Sequence, residues 1–410
     1  MRFSLLTLGC KVNQSESLVI ERQMLQNSHT EVNPDQEPDI FIINTCTVTA
    51  KSDYQSRQLI RRALNTGAKV YVTGCYSELN QDNIKLLGSD IEVVPTKAKD
   101  IFFQQLAGIN YTNIFTDSSR AREMVKIQDG CNSSCSYCAI PIARGRSVSR
   151  DPAAILEDIQ GLEQSGFNEV ILTGIHIGAY ASNGFRLWQL VEHILNNTQK
   201  IRLRLSSLEP DEIDEGILAI IQSKRVCSHV HIPLQSGDDE ILKAMNRTYT
   251  TKQYLDIINK IHNAVDNISI GSDVIVGFPG ETVKHFENTF NFIKRLPLSY
   301  LHVFPYSKRL NTKAVNLPYQ VDSASKKQRA KILFSHSRLI KADYMKTQVG
   351  KTLSGVVERF DGQAYYATSE NYLKIIINQN GDNFIRKNVI KVLIISAELD
   401  FISGIPIKNS

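Results

Sequence analysis

The sequence has no run of eighteen apolar residues, the length that a membrane-spanning helix needs. The apolar stretch at the N-terminus is too short for the core of a secretion signal, and the charged Lys11 follows it closely. These absences exclude a transmembrane helix and predict a cytoplasmic protein. The sequence also lacks internal repeats and low-complexity segments, which excludes a repeat architecture.

A complete disulfide framework is excluded as well. The 410 residues contain seven cysteines, an odd number that closed pairs cannot use up. Disulfides are also rare in a reducing cytoplasm. Metal binding or catalysis is therefore the better explanation for most of the cysteines. The net charge of +5 is small for this length and, averaged over the chain, says little about partners.

The N-terminal part alternates strands with helices. Strand patterns cover residues 3–8, 39–44 and 69–73, and helical patterns cover about 15–26 and 52–64. This alternation predicts an open parallel α/β sheet, in which ligands bind beyond the carboxyl ends of the strands. A cysteine follows each of the three strands, so the fold is expected to bring them to one edge of the sheet: Cys10, Cys46 and Cys75.

The central part has six further strand patterns. They cover residues 124–128, 169–173, 201–206, 228–232, 268–276 and 300–304. Helical patterns between them cover residues 152–165, 187–196, 211–222, 251–262 and 282–296. A partial (β/α)6 barrel and a doubly wound sheet fit this alternation equally well.

From about residue 345 the pattern changes to short strands, at residues 352–359, 364–369, 372–377 and 388–396, with turns at 361–362 and 381–382. A small antiparallel β-barrel is the natural interpretation. Because the chain is too long for one hydrophobic core, we predict three domains, at residues 1–112, 118–340 and 344–410.

Three cysteines occur within eight residues, with the spacing Cys-x3-Cys-x2-Cys: Cys131, Cys135 and Cys138. Iron–sulfur clusters are held by such closely spaced thiolates. Three thiolates leave one iron of a four-iron cluster free to bind another molecule. A structural zinc ion needs a fourth ligand, and the nearest histidine in the sequence is His176.

This loop resembles the signature of the radical S-adenosylmethionine (SAM) superfamily. The resemblance implies a 4Fe-4S cluster whose open iron binds SAM, with Tyr137 against the adenine. Other segments similar to the superfamily imply that four more residues contact SAM: Gly174, Glu209, Gln235 and Arg247. Glu209 and Arg247 are equally well explained as surface charges beside helices. His231 is expected to be a core histidine.

The segments around Cys10, Cys46 and Cys75 resemble those of methylthiotransferases, which implies that they hold a second 4Fe-4S cluster. Three buried thiols at strand ends are the alternative. Cys227 matches neither set and is expected to be structural. The C-terminal barrel resembles the TRAM domain, an RNA-binding module of these enzymes.

Within this family, residues 9–14 are most similar to the MtaB-type enzymes. That likeness implies an enzyme that makes a deoxyadenosyl radical from SAM and replaces the C2 hydrogen of N6-threonylcarbamoyladenosine, next to the tRNA anticodon, with a methylthio group. It also implies an electron donor such as flavodoxin or ferredoxin. Isopentenyladenosine and a ribosomal-protein side chain are alternative substrates. A non-catalytic iron–sulfur protein that binds RNA or transfers electrons is another alternative.

A basic stretch lies between residues 305 and 341, where nine basic residues stand against one acidic residue, Asp322. This imbalance predicts contact with the tRNA anticodon loop, although a solvated helix face is the usual meaning of a charge run. The residues expected to bind RNA are Arg144, Arg146, Arg150, Lys326, Lys327, Arg329 and Lys331. Four aromatic residues could stack on bases or pack in the barrel core: Tyr365, Tyr366, Tyr372 and Phe384.

Overall fold

The structure, a computed structural model, describes residues 1–108, 120–378 and 383–407. The turn predicted at residues 381–382 lies outside these ranges. Within them, the chain forms a parallel sheet, a barrel-like sheet and a small closed barrel, in that order. None of the described helices has the length and apolar character that crossing a membrane requires.

The first domain is an open parallel sheet with strand order β2-β1-β3-β4-β5. Its strands are β1 (Arg2–Thr7), β2 (Thr30–Glu31), β3 (Ile40–Thr45), β4 (Lys69–Gly74) and β5 (Ile91–Val93). Every residue of β3 is buried, because successive side chains enter the apolar clusters on opposite faces of the sheet. The predicted α/β architecture is confirmed.

Helices cover both faces of this sheet: α1 (Lys11–Gln26), α2 (Ala50–Leu64), α3 (Cys75–Leu79), α4 (Gln81–Lys85) and α5 (Lys99–Ala107). Helix α1 begins at Lys11, four residues before its predicted start. Cys10 has an extended backbone and is the N-cap of the helix. The first cysteine therefore lies at the point where the chain leaves β1 and enters α1.

The central domain contains six parallel strands in chain order: β6 (Glu123–Lys126), β9 (Glu169–Thr173), β12 (Arg202–Leu205), β13 (His229–His231), β14 (Ser269–Val276) and β15 (Tyr300–Pro305). They form two three-stranded sheets that parallel bridges join, Leu203 with Val226 and Ser207 with His231. A doubly wound sheet would reverse its strand order partway, whereas these strands follow one another without reversal. The partial (β/α)6 barrel is therefore the correct alternative.

Two short antiparallel pairs flank the barrel: β7 (Gln128–Asp129) with β8 (Val148–Ser149), and β10 (Ala181–Ser182) with β11 (Phe185–Arg186). Its helices are α6 (Ile140–Arg144), α7 (Pro152–Gln164), α8 (Leu187–Asn196), α9 (Glu215–Ile221), α10 (Asp239–Ala244), α11 (Thr251–Ala264) and α12 (Val283–Ile293). The helix predicted at residues 211–222 begins later, because a 3-10 turn at Pro210–Glu212 precedes it and Asp214 caps α9.

Helix α13 (Ser323–Lys346) connects the barrel to the C-terminal domain. Asp322, the one acidic residue of the basic stretch, caps it by accepting a hydrogen bond from the Ser325 amide. The helix packs along β15 and ends against the C-terminal barrel. It therefore runs through the domain boundary that the sequence predicts between residues 340 and 344.

The C-terminal domain is a closed barrel with order β16-β17-β18-β20-β19. Its strands are β16 (Thr352–Phe360), β17 (Ala364–Ser369), β18 (Lys374–Asn378), β19 (Val389–Ala397) and β20 (Ile402–Pro406). The closing strand β20 was not predicted from the sequence. Strand β18 begins at Lys374 rather than at Tyr372, because Tyr372 has a left-handed backbone (φ 67°) in the turn after β17.

Candidate active site

The Cys131–Cys138 loop lies beyond the carboxyl end of β6, the first barrel strand. It folds back on the segment after α6, where the Cys131 amide donates to the Gly145 carbonyl at 3.1 Å. Gly130 allows this approach: its φ is +70°, and a Cβ there would lie 2.1 Å from the Arg146 carbonyl oxygen. Local backbone geometry thus gathers the three thiols.

The electrostatics of these thiols fit metal ligation. Burial, together with the nearby Cys135 and Cys131, raises the pKa of Cys138 to about 12. Burial also acts on Cys131, but hydrogen bonds from His176 and Ser133 lower its pKa below the usual value. Three adjacent thiolates need a compensating positive charge, which a bound iron cluster supplies. The residues present therefore fit a 4Fe-4S cluster.

Arg247 and Glu209 form a mostly buried ion pair beside this loop. Arg247 also donates to the Cys135 sulfur at 3.2 Å and lies over the Tyr249 ring at 5.0 Å. The alternative explanation, two surface charges beside helices, does not describe this arrangement. Two of the residues expected to contact SAM thus meet at the second cysteine of the loop.

A cavity of about 190 Å³ opens next to Cys138. Tyr137 and Gln235 line it on the barrel side, and residues 47–49, which follow Cys46, line it on the side of the first domain. Gly174 is not among the lining residues; a Cβ on it would lie 2.9 Å from the Gln128 carbonyl oxygen, so it packs against the start of the loop. The cavity thus lies between the SAM-type loop and the segment that directly follows Cys46.

The N-terminal cysteines meet at one edge of the first sheet, as the sequence predicts. They follow the adjacent strands β1, β3 and β4. Gly9 makes the close approach possible, because its φ is +101° and a Cβ on it would lie 2.8 Å from the Cys46 sulfur. Burial raises the pKa of Cys75 to about 11, while Arg144 opposes this rise. Cys46 is also buried, whereas Cys10 is exposed.

Arg144 joins the two cysteine trios instead of facing solvent. Its Nε donates to the Cys75 sulfur at 3.1 Å, and its Nη1 lies 2.9 Å from carboxylate oxygens of both Glu16 and Asp129. Its side chain is fully buried. The prediction that Arg144 contacts RNA therefore does not fit this structure, because no RNA phosphate can reach a side chain enclosed in this way.

Glu16 is the centre of this network. Its carboxylate lies 2.5 Å from Lys99, 3.0 Å from Lys126 and 2.9 Å from Arg144. Burial alone would raise the pKa of Glu16, but the three cations hold it well below the usual range. Lys99 comes from the first domain and Lys126 from the barrel, so the network fixes the two domains against each other. Sequence reasoning missed it, because its members are far apart in the chain.

His176, considered in the sequence as the nearest possible zinc ligand, lies at the SAM-type loop. Its Nδ1 is 3.5 Å from the Cys131 sulfur, and its Nε2 is 2.7 Å from Glu212. His231 is buried, as expected of a core histidine. Its ring nitrogens contact Tyr300 and Asp273 at 3.2 and 2.9 Å. Cys227 is buried, belongs to neither trio and donates to Glu169.

The other residues expected to bind RNA fall into two groups. Three are engaged within the protein: Arg329 is buried against Glu281, Arg150 pairs with Asp158, and Lys326 lies over the Tyr306 ring at 5.5 Å. Arg329 is thus another residue for which RNA contact does not fit the structure. The remaining three are exposed: Arg146, Lys327 and Lys331.

The aromatic residues considered as base-stacking partners also fall into two groups. Tyr365 and Phe384 pack in the core of the C-terminal barrel. Tyr366 lies outside that core under the Arg359 guanidinium, 3.8 Å from its ring centroid. Tyr372 faces the central domain, with its ring centroid 4.5 Å from that of His229. Tyr366 is half-buried and Tyr372 is exposed, so these two keep surface on which a base could stack, whereas Tyr365 is buried.

Solved structures support the fold. The chain is similar to the radical SAM methyltransferase TsrM from Kitasatospora setae, solved with cobalamin and a 4Fe-4S cluster, with a TM-score of 0.56 and 14% identity over 77% of each chain. It is also similar to the cobalamin-dependent radical SAM enzyme OxsB, with a TM-score of 0.52 and 10% identity over 83% of this chain and 56% of that one. At these identities the likeness shows the fold alone.

Sequence comparisons are more specific. Residues 125–293 match the radical SAM superfamily, and residues 2–95 match a family described as "Uncharacterized protein family UPF0004". The threonylcarbamoyladenosine tRNA methylthiotransferase MtaB of Bacillus subtilis is 35% identical over 97% of this chain and 94% of its own. The MtaB of Aquifex aeolicus is 34% identical over 92% and 96%. A tRNA-2-methylthio-N(6)-dimethylallyladenosine synthase of Endomicrobium trichonymphae is 30% identical over 92% and 93%.

The partial barrel and the cysteine loop at its first strand end define a radical SAM protein. The relatives and the matched N-terminal segment then place it more closely: the chain belongs to the radical SAM tRNA methylthiotransferase family. It is an enzyme of sulfur-containing group transfer, and its superfamily uses SAM with a 4Fe-4S cluster. These findings confirm the family, fold class and enzyme class predicted from the sequence.

Proposed function

We propose that this enzyme uses two 4Fe-4S clusters to replace the C2 hydrogen of N6-threonylcarbamoyladenosine in tRNA with a methylthio group. The observation that supports this most is one cavity that Cys138 of the SAM-type loop lines on one side and residues 47–49, which directly follow Cys46, line on the other. The substrate is inferred from the relatives in Bacillus subtilis and Aquifex aeolicus, whose names specify threonylcarbamoyladenosine.

In this proposal Cys131, Cys135 and Cys138 hold the cluster that binds SAM. That cluster, with an electron from a donor such as flavodoxin or ferredoxin, would supply the radical chemistry that removes an unactivated hydrogen. The chain positions the cofactor: the Arg247–Glu209 pair lies at Cys135. Tyr137 and Gln235 line the cavity beside the loop, where the SAM bound to this cluster would lie.

Cys10, Cys46 and Cys75 would hold the second cluster, which presents the sulfur to be transferred. Arg144 lies against Cys75 and also bonds to Asp129, just before the SAM-type loop. Its role here is positional, since it fixes one trio relative to the other. The buried position of Cys46 and Cys75 keeps water from their sulfur atoms.

The RNA would approach along the start of α13. Tyr306 and Ser307 line the cavity. Two lysines adjoin them: Lys326 contacts the Tyr306 ring, and Lys308 follows Ser307 in the chain. The exposed Lys327 and Lys331 continue this basic edge along the helix, where they can neutralise phosphates. The target adenosine must leave its stacked position in the anticodon loop to enter the cavity.

The test is anaerobic turnover of the cluster-loaded protein with SAM and a reductant. Matched anticodon stem-loops carrying threonylcarbamoyladenosine or isopentenyladenosine are the substrates, and mass spectrometry of the nucleosides is the readout. We expect a methylthio product from the first RNA. Product from the second alone would instead favour the activity named for the Endomicrobium trichonymphae relative. Product from neither would contradict the proposal.

A further inference from the structure

The two substrates named for the relatives differ in charge. A threonylcarbamoyl group ends in a carboxylate, whereas a dimethylallyl group is a hydrocarbon. On the adenine ring, N6 and C2 lie on either side of N1, so a substituent on N6 can extend past the position that receives sulfur. An enzyme that acts on the charged substrate therefore needs a cation near Cys10, Cys46 and Cys75. Without such a partner, burying the carboxylate would cost free energy.

Lys11 is such a cation. It directly follows Cys10 and is the first residue of α1, and it is half-buried between the first domain, the barrel and the turn before β18. Its Nζ lies 5.5 Å from the Tyr372 ring centroid. Among the residues that the structure describes, no carboxylate lies within ion-pair distance of this Nζ.

The acids nearby are already engaged. Glu169 accepts from Arg202 at 2.7 Å and from Arg204 at 2.8 Å, and it also pairs with Arg122. Three guanidinium groups therefore already neutralise the Glu169 carboxylate, and Glu169 is not the ion-pair partner of Lys11.

The surroundings of Lys11 suit a polar substituent better than a hydrocarbon. His229 Nε2 lies 2.8 Å from the Tyr300 hydroxyl, and the His229 ring packs on Tyr372, the same ring that Lys11 approaches. The Arg204 guanidinium lies 5.1 Å from the centroid of the same Tyr372 ring, so Lys11, Arg204 and His229 all surround one aromatic ring. His229 is almost fully buried, but its Nδ1 has no hydrogen-bond partner among the described residues. This nitrogen can bond to the hydroxyl or carbamoyl of a threonyl substituent.

We infer that Lys11 determines substrate specificity by forming an ion pair with the carboxylate of the threonylcarbamoyl group. This inference rests on the proposed function, since it concerns the same site and the same substrate. It makes Lys11 a substrate-binding residue for one of the two relatives' substrates, with no part in holding a cluster.

The experiment removes the charge from each partner in turn. One anticodon stem-loop carries threonylcarbamoyladenosine, and a second carries its threoninamide analogue, in which a neutral amide replaces the carboxylate. Binding of both to cluster-loaded protein is measured without SAM, for the wild type, Lys11→Gln, Lys11→Arg and the control Lys85→Gln. Lys85 is an exposed lysine on α4 of the same domain.

We expect the wild type to bind the acid about 10- to 100-fold more tightly than the amide. Lys11→Gln should lose this preference, Lys11→Arg should keep most of it, and Lys85→Gln should leave it unchanged. If the wild type bound the acid and amide RNAs with equal affinity, that result alone would overturn the inference, whatever the variants did. Equal weakening of both RNAs by Lys11→Gln would also overturn it, because that pattern indicates a phosphate contact.

Iron content and the visible spectrum of each variant show whether its clusters are intact. The two proposals fail separately. If the wild type methylthiolates threonylcarbamoyladenosine but shows no preference for the acid, only the role of Lys11 is wrong. If the wild type forms no such product, the proposed function is wrong, and the inference that rests on it is overturned as well.

Discussion

The two cysteine trios are assembled in different ways. Cys131, Cys135 and Cys138 come from eight consecutive residues, and one glycine-assisted loop gathers them. The N-terminal cysteines come from three strand ends that together span more than sixty residues of the chain, and only the parallel sheet brings them together. The first trio depends on local backbone geometry, whereas the second depends on the packing of a whole domain.

The largest expected effect is that of Cys135→Ala, which removes one thiol of the compact trio. We expect complete loss of reductive SAM cleavage and of methylthio product, with about half the iron retained. Anaerobic assays of deoxyadenosine and of modified tRNA measure both. Cys227→Ala is the matched control, because Cys227 is buried outside both trios and should keep both activities. Deoxyadenosine formation by Cys135→Ala would contradict this assignment.

Cys46→Ala tests the other side of the comparison. We expect this variant to retain SAM cleavage but to form no methylthio product, because only the trio assembled by the sheet is broken. The same assays, run beside Cys135→Ala, separate the roles of the two trios. If Cys46→Ala still produced methylthioadenosine in tRNA, the division of labour between the trios would be wrong.

Glu16→Gln tests whether packing between domains supports the N-terminal trio. The change leaves Lys99, Lys126 and Arg144 without their shared carboxylate, so the free energy of unfolding should fall by about 3–5 kcal/mol. Urea unfolding of the cluster-free protein measures this. The control Glu92→Gln breaks a half-exposed pair with Lys69 and should cost about 1 kcal/mol or less. Equal effects would show that the network does not stabilise the interface.

The smallest effect concerns RNA binding beside the trios. Replacing Lys327 and Lys331 with serine should weaken tRNA binding and reduce its salt dependence by about one unit per lysine. SAM cleavage without RNA should not change. Titrations at several salt concentrations measure this. Lys224→Ser is the control, because Lys224 is exposed near the amino end of β13, away from the cavity. An unchanged salt dependence in the double variant would place the RNA elsewhere.

Much of the site could be predicted from local patterns. The spacing of the compact trio and the position of each N-terminal cysteine after a strand identified all six thiols. Glu209 and Arg247 were each expected at the SAM site only through resemblance, and their pairing was not predicted, since neither residue type at those positions specifies a partner. Arg144 and Arg329 were assigned to RNA because they are basic, yet their carboxylate partners Glu16 and Glu281 are distant in sequence.

The sequence by itself determined the order of the domains, the two sets of cysteines and the family. Short cysteine spacings and strand–helix alternation are local patterns, which can be recognised from residues that are contiguous in the chain. The tertiary structure alone decided that the central sheet closes toward a barrel, that Arg144 is buried between the trios, and that Lys11 has no carboxylate partner among the described residues. The physical reason is that charge pairing depends on distance in space, and residues more than a hundred positions apart become neighbours only when the domains pack.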